Sequence, residues 1–148
     1  YGVDVNGCAD LHFHPFHPFG HISGVDRHTD HDRNEFYADI KINETLCERY
    51  ENHIRAYGKN VLKTHPQVLT ASSDIGNVSY AVPTLHAMFG IPTDEGTFLH
   101  DPTFAEAAGT DSAFDDALIV GKTLALVGWD VITDDGMYQV AKSQWQET

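Results

Sequence analysis

From Thr110 or Asp111 onward, Phe114, Ala117, Leu118, Gly121, Leu124, Ala125 and Gly128 recur along one stripe at helical spacing. The pattern predicts a single long helix. Ala117, Gly121, Ala125 and Gly128 are small, so this stripe lets another backbone approach closely, as a sheet would. Such a helix demands a second layer to cover it. Around it, Thr133 predicts the cap of a last helix from Asp134 to about Trp145, with acidic residues in its first turn. Upstream, Asn43 predicts the cap of a helix running to about Tyr57. There Leu46, Tyr50, Ile54 and Tyr57 form one apolar face, and Gly58 is the stop. Gln67 to Ala71 and the apolar Leu85 to Ile91 are strand candidates. Ser72 to Ser79 is a loop or a short helical turn, and Gly96 to Pro102 is a loop carrying His100. Helix, strand, strand and long helix in this order predict α/β architecture.

The first third of the chain is different in kind. His12, His14, His17, His21, His28 and His31 fall in one run with Pro15, Pro18 and Gly20. No helical or strand period survives there, because two prolines break both. The run reads as a loop, insertion or linker over 12–35. Its imidazoles bind zinc, nickel or copper readily, so a non-catalytic His-rich metal-binding module is the alternative reading. A site of fixed geometry, however, needs oriented partners that such a run lacks. Replacing the six histidines with alanine and titrating zinc separates the two.

Nine basic against twenty-two acidic residues give a net charge of −13 over 148 residues. Phosphate backbones and anionic membranes need a positive patch, so nucleic acid and membrane are excluded as partners. No apolar run is long enough to span a bilayer, and the chain opens on Tyr1 without a signal-like segment. A trimmed or fragmentary start is the simplest reading. Cys8 and Cys47 have no metal-type spacing. They read as reduced thiols, which points to the cytoplasm.

Two segments carry candidate chemistry. Ser72-Ser73-Asp74-Ile75-Gly76-Asn77-Val78-Ser79-Tyr80 precedes Val82-Pro83-Thr84-Leu85-His86. Taken alone, it is a polar loop entering a buried strand, with Asp74 capping a turn. Leu99-His100-Asp101-Pro102-Thr103-Phe104 puts a histidine at a loop end before a long helix, where scaffolds hold site residues. Taken alone, one such histidine is more often an ordinary side chain than a ligand.

These segments, followed by Ala107-Ala108-Gly109-Thr110, stand in an order that resembles the C-terminal part of a zinc amidohydrolase and metallopeptidase family. That family includes aminoacylases, auxin-conjugate amidohydrolases and p-aminobenzoyl-glutamate hydrolase, and the similarity is greatest to its aminoacylase-like dipeptidase branch. The resemblance covers roughly Phe36 to Trp145. It implies a three-layer αβα catalytic domain, of which 36–148 is the C-terminal segment. Residues 1–11 would hold the last strand of a smaller lid domain. It implies that His100 binds one of two zinc ions, other divalent metals being chemically compatible. It also implies that Asp74, Asn77 and His86 lie near the active site, against a small amide or dipeptide-like substrate. The resemblance leaves room for a homo-oligomer of the complete enzyme.

The departures narrow this reading. The family's remaining metal ligands and its glutamate base come from an upstream His-x-Asp, an Asp and a Glu-Glu pair. The chain contains no Glu-Glu pair. His12-x-His14 and His28-x-Asp30 match only in spacing and follow no strand. One imidazole cannot hold a catalytic zinc, which takes about three protein ligands. The expectation is therefore a hydrolase fragment without catalytic residues of its own, inactive in isolation. A soluble fragment with no independent function is the plainest version of that reading.

Overall fold

The computed structural model describes residues 4–5, 38–62 and 73–147. The His-rich run, Cys8 and the strand candidate Gln67 to Ala71 lie outside these residues. The described elements, in order, are β1 (Asp4–Val5), α1 (Glu44–Arg55), β2 (Asn60–Val61), α2 (Ile75–Ala81), α3 (Pro102–Ala108), α4 (Asp111–Thr133) and α5 (Asp135–Glu147). β1 and β2 pair in parallel, Asp4 with Asn60 and Val5 with Val61.

α1 forms where its local signals put it. The Asn43 side chain accepts the Leu46 amide, and Gly58 stands past the last turn at φ +72°. Leu46, Tyr50 and Ile54 are buried, whereas Tyr57 is exposed. Burial of Tyr50 pushes its phenol up to about 12. α1, α4 and α5 pack on one another around a core that adds Val120, Val127, Met137 and Ala141.

α4 has the expected length and its expected Thr110 cap, which accepts the Ala113 amide. Its inward face is not the one the sequence suggests. The buried positions are Ala113, Asp116, Val120, Thr123 and Val127. Phe114, Ala117, Leu118, Gly121, Leu124, Ala125 and Gly128 all face outward. The two polar residues on the inner face explain the inversion. Lys59 Nζ donates to Asp116 Oδ1 at 2.7 Å, and Thr123 returns its hydroxyl to the Ile119 carbonyl at 2.8 Å. The Thr123 hydroxyl is thereby satisfied, and the Asp116 charge is paired through Oδ1, while its buried Oδ2 has no partner among the described residues.

Three further departures have local causes. Pro102 opens α3 rather than ending a loop, because the first helical turn needs no amide there. Leu85 to Ile91 is irregular apart from one bridge residue, Ala87, and sets Leu85, Ala87 and Phe89 against the core. Among the described residues no longer ladder forms beside it. Asp134, not Thr133, caps α5. Its Oδ1 accepts the Met137 amide at 2.9 Å, while Thr133 closes α4 with its hydroxyl on the Trp129 carbonyl.

A charged seam ties the three helices together. Arg49 donates to Asp134 Oδ2 at 2.7 Å, and the ring of His53 meets Asp130 Oδ2 at 2.7 Å. The Met137 amide, foremost, and the Arg49 guanidinium hold the Asp134 carboxyl below the usual carboxylate range. A lowered folded pKa gives stability that is full above the ordinary carboxylate pKa and is lost as pH falls through the lowered value. Acid unfolding followed by circular dichroism should therefore show a steeper loss in the wild type than in Asp134→Asn. That variant keeps the capping oxygen but does not titrate. Parallel acid limbs for the two proteins would show that Asp134 is not linked to folding.

Cys47 is disulfide-bonded, which departs from the reduced thiols expected of it; its partner lies outside the described residues. A disulfide persists in an oxidising setting, so this cysteine does not support a reducing one. No helix among the described residues is long and apolar enough to cross a membrane.

Candidate functional site

The segment around Asn77 is built on one close approach. Gly76, on the first turn of α2, lies so near the segment before α1 that an added Cβ would overlap the Ala38 carbonyl. From the same helix Asn77 Oδ1 accepts the Ala38 amide at 2.9 Å, and the Ser79 hydroxyl accepts the Lys41 amide at 2.8 Å. Tyr80 donates its hydroxyl to Asp39 at 2.8 Å, and that bond is the foremost cause of its raised phenol pKa. Trp145 Nε1 donates to the Ser79 carbonyl at 2.8 Å, and the Lys41 ammonium stands 5.0 Å from the Trp145 ring centre. α2 is thus clamped between residues 38–41 and the end of α5. Asn77 is a positioning residue in this clamp.

Asp74 sits at the N-terminal boundary of α2, exposed, and makes no side-chain capping bond. Ser73 supplies the local bond instead, its hydroxyl accepting the Ile75 amide. Asp74 is left facing solvent with its oxygens available. His86 follows in the irregular segment after α2 and is half-buried. Its Nδ1 is buried and has no hydrogen-bond partner among the described residues. An orphaned buried ring nitrogen is costly to keep, and among the described residues His86 shares this state with the Tyr50 hydroxyl and Asp116 Oδ2.

His100 occupies a strained position. It is the sole non-glycine residue with positive φ among those described, at +76°. An L-residue pays about 1–2 kcal/mol for that conformation. The turn enforces it: Asp101 Oδ2 accepts the Phe98 amide, while the Asp101 amide donates to the Phe98 carbonyl. Strain of this kind gathers at functional sites. The side chain is exposed and lines a shallow depression with Leu99, Asp101, Pro102, Phe104 and Ala105. Asp74, Asn77 and His86 do not line it. The four residues singled out in the sequence therefore divide into the α2 clamp, the half-buried His86 and the separate His100 turn.

Among the described residues no group of three or more histidine, cysteine, aspartate or glutamate side chains is placed to hold a metal ion. These residues by themselves do not fit a zinc centre, which takes about three protein ligands. The clamp residues Gly76, Ser79 and Trp145 carry more of the local architecture than the sequence suggested. Their signal was present only as a glycine and a serine one turn apart on α2, whose partners are remote in the chain.

No protein-family model matches the chain. Its resemblance is to a class of peptidase that cleaves dipeptides. The chain is 31% identical over 113 residues to the Xaa-Arg dipeptidase of Mus musculus, across 74% of this chain and 26% of the mouse protein. It is 31% identical over 98 residues to the Xaa-Arg dipeptidase of Homo sapiens, across 65% of this chain and 22% of the human protein. The chain thus spans about a quarter of the length of the curated relatives it matches.

Proposed function

We infer that this chain is the C-terminal segment of a metal-dependent amidohydrolase or dipeptidase, and that it is not a complete catalyst. The observation that carries the reading is the 31% identity over 113 residues to a dipeptidase about four times the matched length. The substrate class is a dipeptide or an N-acyl amino acid, and a C-terminal arginine is the first side chain to try. The strongly acidic composition, −13 overall, favours a cationic substrate over an anionic one. In this reading the αβα catalytic domain is shared between this segment and the rest of the hydrolase. His100 contributes one imidazole to a zinc site whose other ligands and general base come from that remainder. The hydrogen-bonded turn from Phe98 to Asp101 sets the left-handed backbone from which the ring leaves. The α2 clamp carries Asp74 on the adjoining polar segment, where it is free to bind or orient a ligand.

The test has two arms. The 148-residue chain alone, given zinc and Xaa-Arg dipeptides, should show no turnover. The same chain extended by its upstream coding sequence should hydrolyse them, and His100→Ala should cut that turnover by about 100-fold or more with unchanged circular dichroism. Turnover by the isolated chain overturns the fragment reading. Near-normal turnover by His100→Ala overturns the ligand assignment.

A further inference from the structure

Two turns follow one another before α3, and they share one backbone design. In the first, the Thr97 amide donates to the Asp94 carbonyl at 3.2 Å, and Gly96 takes φ +83° at the third position. In the second, the Asp101 amide donates to the Phe98 carbonyl at 3.1 Å, and His100 takes φ +76° at the same position. A positive φ there ordinarily falls to glycine or asparagine. Gly96 adopts it at no steric cost, whereas His100 carries a Cβ that opposes it. The second turn therefore needs a brace that the first does not. Asp101 supplies it. Its Oδ2 accepts the Phe98 amide at 2.9 Å, so both backbone groups of Phe98 are tied to the residue that follows His100.

That carboxylate is spent on the turn and not on the helix it precedes. Asp101 is the N-cap of α3, with an extended backbone at φ −75° and ψ 148°. A capping side chain ordinarily accepts an amide of the first helical turn, as Asn43 and Thr110 do at α1 and α4. Asp101 makes no such bond. The Phe104 and Ala105 amides close on its main-chain carbonyl instead, at 3.0 and 3.2 Å, and Pro102 has no amide to satisfy. α3 thus starts without the carboxylate. We propose that Asp101 is a positioning residue of the hydrolase: its carboxylate holds the His100 backbone left-handed and so fixes where the imidazole leaves the chain. The proposal rests on reading His100 as a site residue of that hydrolase. A reacting group displaced by about 1 Å costs up to about 100-fold in rate, so a side chain that never meets the substrate still governs turnover.

The test has a backbone arm and a turnover arm. In the 148-residue chain, a strong nuclear Overhauser effect between the amide and α protons of His100 reports its positive φ, because that conformation brings the two protons together. Asp101→Ala should weaken the effect to that of an ordinary residue. Asp101→Asn, which keeps an oxygen for the Phe98 amide, should retain it. Helical circular dichroism should be unchanged in both variants, since α3 makes no use of the carboxylate. The turnover arm uses the chain extended by its upstream coding sequence, with leucyl-arginine as substrate. There Asp101→Ala should lower kcat by about 10–100-fold and leave KM within about twofold. Asp101→Asn should keep at least about a third of the wild-type kcat, since the acceptor remains. In a His100→Ala background, Asp101→Ala should lower kcat by less than about twofold further, because no imidazole is left to place. A His100 that stays left-handed in Asp101→Ala overturns the proposal. So does an unchanged kcat in that variant. A loss of equal size with and without the imidazole also overturns it, and makes Asp101 a support of the local fold alone. An extended protein that cleaves no dipeptide removes the functional reading and with it the role in turnover; the Overhauser effect then decides by itself whether Asp101 holds the turn.

Discussion

Gly76→Ala is expected to destabilise the folded chain by about 3 kcal/mol, at the upper end of what overpacking usually costs. The new methyl group would overlap the Ala38 carbonyl and press on the Asp39 carbonyl 3.0 Å away. Both obstacles are backbone, so no side chain can swing aside. The segment cannot retreat freely either. Asn77 holds the Ala38 amide, Ser79 holds the Lys41 amide and Tyr80 holds Asp39. Moving 38–41 outward gives up these bonds, at about 1 kcal/mol each. Gly121→Ala is the matched control. Nothing lies within 4 Å of its added Cβ, so the same change there should stabilise the helix by about 0.5–1 kcal/mol. Urea unfolding of the two variants reads both signs. A Gly76→Ala protein within 1 kcal/mol of wild type would show that α2 does not sit against 38–41.

The pair of glycines also shows where sequence reading stops. Gly58 is legible because its role is local: it follows the last periodic residue of α1 and takes φ +72°. Gly76 looks like a loop glycine in a polar stretch, and its true neighbour is 38 positions earlier. The bond that Asn77 makes is illegible for the same reason, since its partner amide lies 39 residues away. α4 was legible in length and cap, both local, but not in orientation. Hydrophobicity alone selects the outer stripe, because the inner face carries Asp116 and Thr123. Their polarity is neutralised by Lys59, 57 residues away, and by a carbonyl within the helix. α3 is seven residues long, too short to show a period, and only Pro102 at its first position signals it. His100 stood out by motif, and its left-handed backbone adds a physical reason that the letters do not contain.

Asn43→Ala should cost about 3 kcal/mol, and the reason is that one side chain does two jobs while fully buried. Its Oδ1 accepts the Leu46 amide and caps α1, a role of about 1 kcal/mol. Its Nδ2 donates to the Ala141 carbonyl at 2.8 Å, stitching the start of α1 to α5 across 98 residues. Alanine leaves the Ala141 carbonyl only its bond within α5, a loss of about 1 kcal/mol, and the vacated buried volume costs about as much again. The residue is only 1% exposed, so water does not replace the lost bond. Asn43→Asp separates the two roles. It keeps an oxygen for the Leu46 amide but sets a buried carboxylate against the Ala141 carbonyl oxygen. At neutral pH this variant should be at least as unstable as Asn43→Ala. Below the carboxyl's pKa a proton restores the donor toward Ala141, and the deficit should shrink. Thermal unfolding of both variants at neutral and acid pH gives the answer. If Asn43→Asp matches wild type at neutral pH, the amide does not bridge α1 and α5, and the helix cap alone accounts for the residue's burial.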